Sequence, residues 1–327
     1  MTHTRIVLAA LLIAALALVS GLPTQAQDGG CQGKADFDAG STAGTFESGG
    51  LTRVYRLFVP SGYDPTQPMA LVLSLHGAVS SAAEQEEKSG WNEIAERENF
   101  VMAYPQGILP LAVGWRWKAG EPMGSGDAGQ SALFEAGDEA QVDDVAYIDG
   151  LLTHLSDVLC IDAARIYVNG FSNGGGMTHH LACVLADRIA AIGTNAGAYT
   201  AIPGGCNPSR PVAVITFQGK FDRIVPYEGN ERLGLQGVES WAADWAARNG
   251  CETTPTPIAR ASGDAISGIV YKGCADNASV EFYAIADGGH TWPGGGWGGF
   301  SFLLGKTSTD IDASETMWMF FTQHPMD

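Results

Sequence analysis

Basic residues are scarce in this chain. Its 327 residues carry 18 Lys and Arg against 36 Asp and Glu, a formal net charge of −18. Such a surface repels polyanions, so neither nucleic acid nor an anionic membrane face is expected as a partner. No Cys-x-x-Cys occurs, which removes the common zinc framework. No internal repeat and no Pro/Ser-rich linker interrupts the chain, so nothing marks a second domain. Outside Ile6 to Leu22 no stretch approaches the eighteen apolar residues that a membrane helix requires.

That one apolar run follows a short basic stretch, Thr2 to Arg5, and precedes Pro23-Thr24-Gln25-Ala26, with small residues at the processing positions. It reads as a secretory signal peptide, residues 1–26, and implies a secreted or extracellular protein, with the periplasm as the alternative. No cysteine stands at the cleavage point, so no lipid anchor is indicated. The expected mature chain, 27–327, is 45% hydrophobic by the whole-chain composition, enough to bury one large core. All six cysteines fall within it, and an even number in an exported chain suggests disulfides, although six allow fifteen pairings. Cys251 and Cys274 flank one Pro/Gly-rich excursion and are the favoured pair. Cys183 with Cys206 comes next, which leaves Cys31 with Cys160 by elimination.

Strand and helix patterns alternate. Leu51 to Val59 reads as an outer strand and Met69 to Leu75 as a buried one, followed by a helix over Ala82 to Arg97 and a strand over Phe100 to Tyr104. Asp144 to Leu159 places Val145, Ile148, Leu151, Leu152, Leu155 and Leu159 on one helical face. Further on come a strand at Arg165 to Asn169, a helix after Ser172 whose apolar face begins at Met177 and Leu181, a strand at Pro211 to Phe217 and a helix at Val238 to Ala247. A strand pair, Ile266 to Tyr271 and Val280 to Ala286, precedes a last helix that Asp312-Ala-Ser-Glu315 opens as a capping box. Alternation of this kind implies a mostly parallel central sheet with helices on both faces, and the order is that of an α/β-hydrolase fold.

Within it, Gly170-x-Ser172-x-Gly174 lies between a strand and a helix. A serine at such a turn takes a strained backbone, and its neighbours must be small for strand and helix to approach. A serine hydroxyl needs a base to accept its proton and an acid to orient that base, in the chain order Ser, Asp, His. After Ser172 the histidines are His179, His180, His290 and His324. The first two ride on the helix behind the serine and His324 is at a solvated end, so His290, in a loop just after a strand, is the expected base. The acid belongs on the loop after the strand that follows the serine, where Asp222 stands, with Glu228 as its nearest competitor. Two N–H donors for the developing oxyanion come from Asn173, next to the serine, and from Ala78, after Leu75-His76-Gly77. His76 itself is expected to brace that loop by hydrogen bonding.

Leu75-His76-Gly77, Tyr104-Pro105, Asp143-Asp144-Val145, Gly170-Phe-Ser-Asn-Gly-Gly175, Asp222-x-x-Val-Pro-Tyr227, Gly289-His-Thr-Trp-Pro-Gly294 and Trp318-x-Phe-Phe321 occur in this order. Together they resemble the secreted esterase family of polyhydroxybutyrate depolymerases, feruloyl esterases and acetylxylan esterases, carbohydrate esterase family one. The resemblance runs from about Leu51 to His324. It implies Ser172 as nucleophile, Asp222 as acid, His290 as base and Ala78 and Asn173 as oxyanion donors, in agreement with the choices made from the residues. It further implies a substrate among feruloyl or acetyl esters of xylan-type oligosaccharides, or a polyester such as poly(3-hydroxybutyrate).

The chain departs from the family at Gln218-Gly219, where relatives often have His-Gly, and in an expanded, Gly- and acid-rich stretch at 115–141 that is expected to form a flap. Trp115, Trp117, Trp292 and Trp297 are candidates for an aromatic wall against the substrate, while Trp241, Trp245 and Trp318 read as packing residues. Asp127, Asp138, Asp143 and Asp144 suggest a solvated acidic loop in preference to a calcium site, and the mechanism requires neither metal nor cofactor. Absence of an appended module tilts the expectation toward soluble cell-wall esters and away from crystalline polyester. A non-catalytic binding protein of the same fold is the reading from another class.

Overall fold

The computed structural model describes residues 31–110, 115–119, 142–262, 264–296 and 301–326. The signal segment 1–26 and nearly all of the 115–141 stretch lie outside the described residues. In chain order the elements are β1 (Gly40–Ser48), β2 (Leu51–Val59), β3 (Met69–Leu75), α1 (Ala82–Ser89), α2 (Trp91–Glu98) and β4 (Val101–Pro105). A short arm, β5 (Leu109–Pro110) with β6 (Trp115–Arg116), precedes α3 (Asp144–Val158), β7 (Ile161–Phe171), α4 (Asn173–Val184), β8 (Ala191–Asn195) and β9 (Ala213–Gly219). A second arm pairs β10 (Gly229–Asn230) with β11 (Leu235–Gln236). Then follow α5 (Val238–Arg248), β12 (Thr256–Ser262), β13 (Ile266–Tyr271), β14 (Val280–Ile285), α6 (Ser301–Leu304) and α7 (Ala313–Phe321).

Ten strands form one sheet in the order β1-β2-β4-β3-β7-β8-β9-β14-β13-β12. The six central strands, β4 to β14 in that order, are parallel, and antiparallel pairs close both edges. Alternation along a strand sends successive side chains to opposite faces. Leu71, Leu73 and Leu75 of β3 therefore join the core under α3, α4 and α5, while Ala70 and Val72 join the core under α1, α2 and α7. Trp241 and Trp245 are fully buried in the first core and Trp318 is buried in the second, which is the packing role expected for them.

Three differences from the sequence reading have physical causes. The helix expected over Ala82 to Arg97 is two helices, broken where Gly90 turns left-handed at φ 73°. Strands β1 and β12 at the sheet edges were not expected. Nor was β8, a fully buried strand between the serine helix and β9. Its sequence, Ala-Ile-Gly-Thr-Asn, lacks a run of bulky β-branched residues because α7 packs directly on it. A Cβ on Gly193 would lie 2.7 Å from the sulfur of Met317. The acid loop consequently follows the second strand after the serine, not the first.

The cysteines pair as Cys31–Cys160, Cys183–Cys206 and Cys251–Cys274, and no cysteine is free. Cys31–Cys160 spans 129 residues and ties the amino-terminal segment to the start of β7. On the chain-entropy argument it is worth about 5 kcal/mol, and each of the two shorter bridges about 3 kcal/mol.

Candidate active site

Three loops at the carboxyl ends of parallel strands converge, as ligand and reaction sites do in open parallel sheets. The first follows β7. Ser172 sits at φ 55° and ψ −118°, a region in which residues other than glycine are strained. Its neighbours have no room for side chains. A Cβ on Gly170 would fall 2.3 Å from the carbonyl oxygen of Gly174, and one on Gly174 would fall 2.4 Å from the carbonyl oxygens of Leu75 and His76. Close approach of β3, β7 and α4 is thus a property of these two glycines.

The second loop follows β14 and brings His290 to the serine. His290 Nε2 lies 2.9 Å from Ser172 Oγ, and its Nδ1 lies 2.7 Å from Asp222 Oδ2. Both histidine and aspartate are buried, and Ser172 is only 8% exposed. The third loop follows β9. Asp222 Oδ1 accepts the N–H groups of Ile224 (2.9 Å) and Val225 (2.8 Å), while Oδ2 also accepts from the Gln218 amide nitrogen at 3.0 Å. Glu228, the competing carboxylate, is exposed.

Of the expected oxyanion donors, Asn173 directly follows the serine, and Ala78 follows Gly77, where a Cβ would lie 3.3 Å from Ser172 Cβ. Asn173 opens α4, so its N–H is among those with no intrahelical acceptor. Ala78 follows β3 in a loop braced by His76, which is fully buried. The ring donates from Nδ1 to the Gly77 carbonyl (2.7 Å) and accepts at Nε2 from the N–H of Gly107 (3.0 Å). Burial pushes its pKa down to about 4, so the ring is neutral near pH 7.

Two side chains that sequence reasoning missed complete the frame. Asn195, at the end of β8, accepts the Ser172 N–H on its carbonyl (3.0 Å) and donates from Nδ2 to the carbonyl of Thr291 (2.9 Å). It thereby links the serine turn to the residue after His290. The Asn173 side chain accepts the Trp117 N–H at 2.7 Å and donates to the Trp117 carbonyl at 3.3 Å, which pins the end of β6 beside the serine. Neither carries a sequence signal, because nothing in the local pattern tells an amide of this kind from a solvated one.

Several expectations need correction. Trp117 and Trp292 are fully buried and cannot form a substrate wall. The Trp117 indole donates to the His76 carbonyl (2.9 Å), and that of Trp292 donates to Ser314 Oγ (3.0 Å). Trp115 begins β6, and Trp297 lies outside the described residues. Asp144 is not a solvated loop residue. It is buried in an ion pair with Arg53 at 2.6 Å and accepts the Lys118 N–H, while Asp143 caps α3 through the Ala146 N–H. Asp127 and Asp138 lie outside the described residues. His324 is not a solvated end either, since it bonds to the Phe320 carbonyl and lies 2.9 Å from Ser279 Oγ. His179 is buried on the far side of α4, where it accepts from the Trp245 indole (3.2 Å).

No family model matches the chain. Among curated proteins it is 29% identical over 254 residues to feruloyl esterase B of Piromyces equi, covering 75% of this chain and 43% of that relative. It is 29% identical over 247 residues to feruloyl esterase C of Emericella nidulans (73% and 76% covered), and 27% identical over 285 residues to feruloyl esterase D of Neurospora crassa (84% and 87%). The chain is a carboxylic ester hydrolase. Among solved structures, acetyl xylan esterase from Aspergillus awamori superposes on the esterase with a TM-score of 0.59, covering 86% of this chain and 99% of that one. At 12% identity that likeness carries the α/β-hydrolase fold and nothing finer. Among the described residues of the esterase no helix is long and apolar enough to cross a membrane.

Proposed function

We propose that this chain is a secreted serine esterase that releases feruloyl or acetyl groups from xylan-type oligosaccharides through Ser172, His290 and Asp222. The observation that carries the reading is the unbroken hydrogen-bonded line from Asp222 Oδ2 to His290 Nδ1 and from His290 Nε2 to Ser172 Oγ, ending on a serine held at φ 55°. His290 takes the serine proton as Oγ attacks the ester carbonyl, and the N–H groups of Ala78 and Asn173 take up the oxyanion charge. The alcohol leaves with the proton from His290. Water then attacks the acyl-enzyme by the same route and frees the acid.

Feruloyl esters are favoured as the acyl class because the curated relatives described above are named feruloyl esterases. Secretion is supported by the signal-like run and by three disulfides, which persist in oxidising compartments. A polyester substrate is the second reading. It draws on exposed apolar side chains beside the site, with Phe221 65% exposed next to Asp222, and Phe302 95% exposed on α6, whose Leu304 carbonyl accepts the His290 N–H.

The test is acid release from methyl ferulate, acetylated xylan and amorphous polyhydroxybutyrate, with Ser172→Ala as the blank. Removing the nucleophile is expected to cut turnover by about four to six powers of ten and to abolish labelling by a fluorophosphonate. Retained turnover in Ser172→Ala rejects the nucleophile. Preference for polyhydroxybutyrate rejects the cell-wall substrate and leaves the catalytic assignment standing.

A further inference from the structure

Four donors hold the carboxylate of Asp222. Two are backbone N–H groups, from Ile224 and Val225, both on Oδ1. On Oδ2 the donors are His290 Nδ1 and the side-chain amide of Gln218, at 2.7 and 3.0 Å. The same Gln218 nitrogen donates to the carbonyl of Val225 at 2.9 Å. Gln218, Asp222 and Val225 therefore close a ring of hydrogen bonds, because Val225 gives its N–H to one carboxylate oxygen and its carbonyl to the amide that holds the other.

Gln218 is 1% exposed, and among the described residues its Oε1 has no hydrogen-bond partner. Turning the amide over does not repair this. Oε1 would then face a carboxylate oxygen and a carbonyl oxygen, two acceptors against an acceptor, so the orientation is fixed by chemistry. A buried acceptor left unpaired is unfavourable for folding. The side chain is thus poorly matched to a purely structural task and well matched to one that needs its donor. Unlike a histidine, an amide donates at every pH and exchanges no proton with its neighbours.

We infer that Gln218 is a positioning residue for the reaction. Its N–H fixes Asp222 Oδ2 where the Nδ1–H of His290 meets it, and so aims Nε2 at Ser172. Backbone donors hold only the other oxygen, and without Gln218 the carboxylate can tilt about that point. The inference rests on the assignment of Ser172, His290 and Asp222 made above.

Gln218→Met tests it, because methionine has nearly the same volume and removes both the donor and the unpaired acceptor. The kcat for methyl ferulate, counted per serine titrated by fluorophosphonate, is expected to fall about 10- to 100-fold with KM unchanged, the scale of a misplaced reacting group. The melting temperature should hold or rise. Gln218→His, which restores an N–H at similar reach, should recover kcat to within about threefold of the parent. An unchanged kcat in the Met variant overturns the inference, and so does a loss in Gln218→His as deep as that in Gln218→Met. If the Met variant does not fold, a fall in kcat of about 10-fold or more in Gln218→His relative to the parent overturns the inference by itself. Parent and Ser172→Ala run alongside separate the two claims. If the parent is inactive, or Ser172→Ala is active, both fall. If those controls behave and Gln218→Met turns over normally, only the role of Gln218 falls.

Discussion

Around Ser172 the backbone is fixed by what its neighbours lack, whereas around Asp222 it is fixed by polar groups that reach in from elsewhere. Gly170 and Gly174 allow β7, α4 and the end of β3 to meet at distances no side chain would tolerate. The Asp222 side has one such contact, three residues before the acid, where a Cβ on Gly219 would lie 2.3 Å from the Gly288 carbonyl oxygen, but none at the acid itself. Its geometry comes from Gln218, from two backbone N–H groups and from His290. Steric fixation resists small shifts but fails completely when an atom is added. Hydrogen-bonded fixation degrades by degrees, as each donor is removed.

The largest expected effect follows from that difference. Gly174→Ala places a methyl 2.4 Å from two carbonyl oxygens of the backbone, neither of which can rotate away. Overpacking of this kind costs about 1–3 kcal/mol or more, and a 1 Å displacement of the serine turn costs about 100-fold in rate. Turnover of methyl ferulate by Gly174→Ala should therefore fall at least that far, together with the melting temperature. Near-normal activity in this variant would break the comparison, since the turn would then have slack.

The same difference explains what could be read in advance. Steric necessity writes itself into a short string, so Gly170-x-Ser172-x-Gly174 was legible, as were the buried strand before it and the apolar face of α3. His290 and Asp222 were legible because each follows a strand and chain order limits the choices. The roles of the Asn195 and Asn173 side chains were not, because a buried amide and a solvated one look alike until the partners are known, and Gln218 stood out only as a departure from the family, without its partners. β8 was missed for a related reason, since its small residues answer to α7, which lies more than a hundred residues away in sequence. Trp117 and Trp292 misled for the converse reason. A tryptophan near a site in sequence says nothing about which way its ring is buried, and both indole N–H groups are spent on internal acceptors.

His76 sharpens the comparison, because it belongs to the serine side and is held by hydrogen bonds. Its Nε2 accepts from Gly107 and faces the Gln106 amide nitrogen at 3.0 Å, so a proton there sets donor against donor. In the folded chain it binds that proton at about pH 4, and in the unfolded chain near 6.5. The unfolded state thus holds more protons between those values. This contribution to stability is intact above about pH 6.5 and is lost as pH falls toward 4, by about 2 kcal/mol at pH 5. His179, pushed down to about 3 by burial, acts in the same direction. Unfolding free energies of the parent and of His76→Gln, measured from pH 7 to 5, should differ in slope, with the variant flatter. Equal slopes would remove His76 from the acid lability of the serine side.

The smallest expected effect separates two uses of glycine. Gly90 joins α1 to α2 at φ 73°, yet a Cβ built there meets nothing within 4 Å. Its requirement is conformational, unlike that of Gly174, whose requirement is space. Alanine at position 90 must take the left-handed conformation, which costs about 1–2 kcal/mol, and no neighbour is displaced. Gly90→Ala should lower the melting temperature slightly and leave kcat and KM for methyl ferulate as they are. Gly90→Asn should recover much of the loss, because asparagine tolerates the left-handed region. If Gly90→Ala instead depressed kcat as Gly174→Ala is expected to do, the effect could not come from local crowding. It would have to reach Ser172 through the α1–α2 layer, and the tolerance of the serine turn would then depend on the whole sheet and not on two glycines.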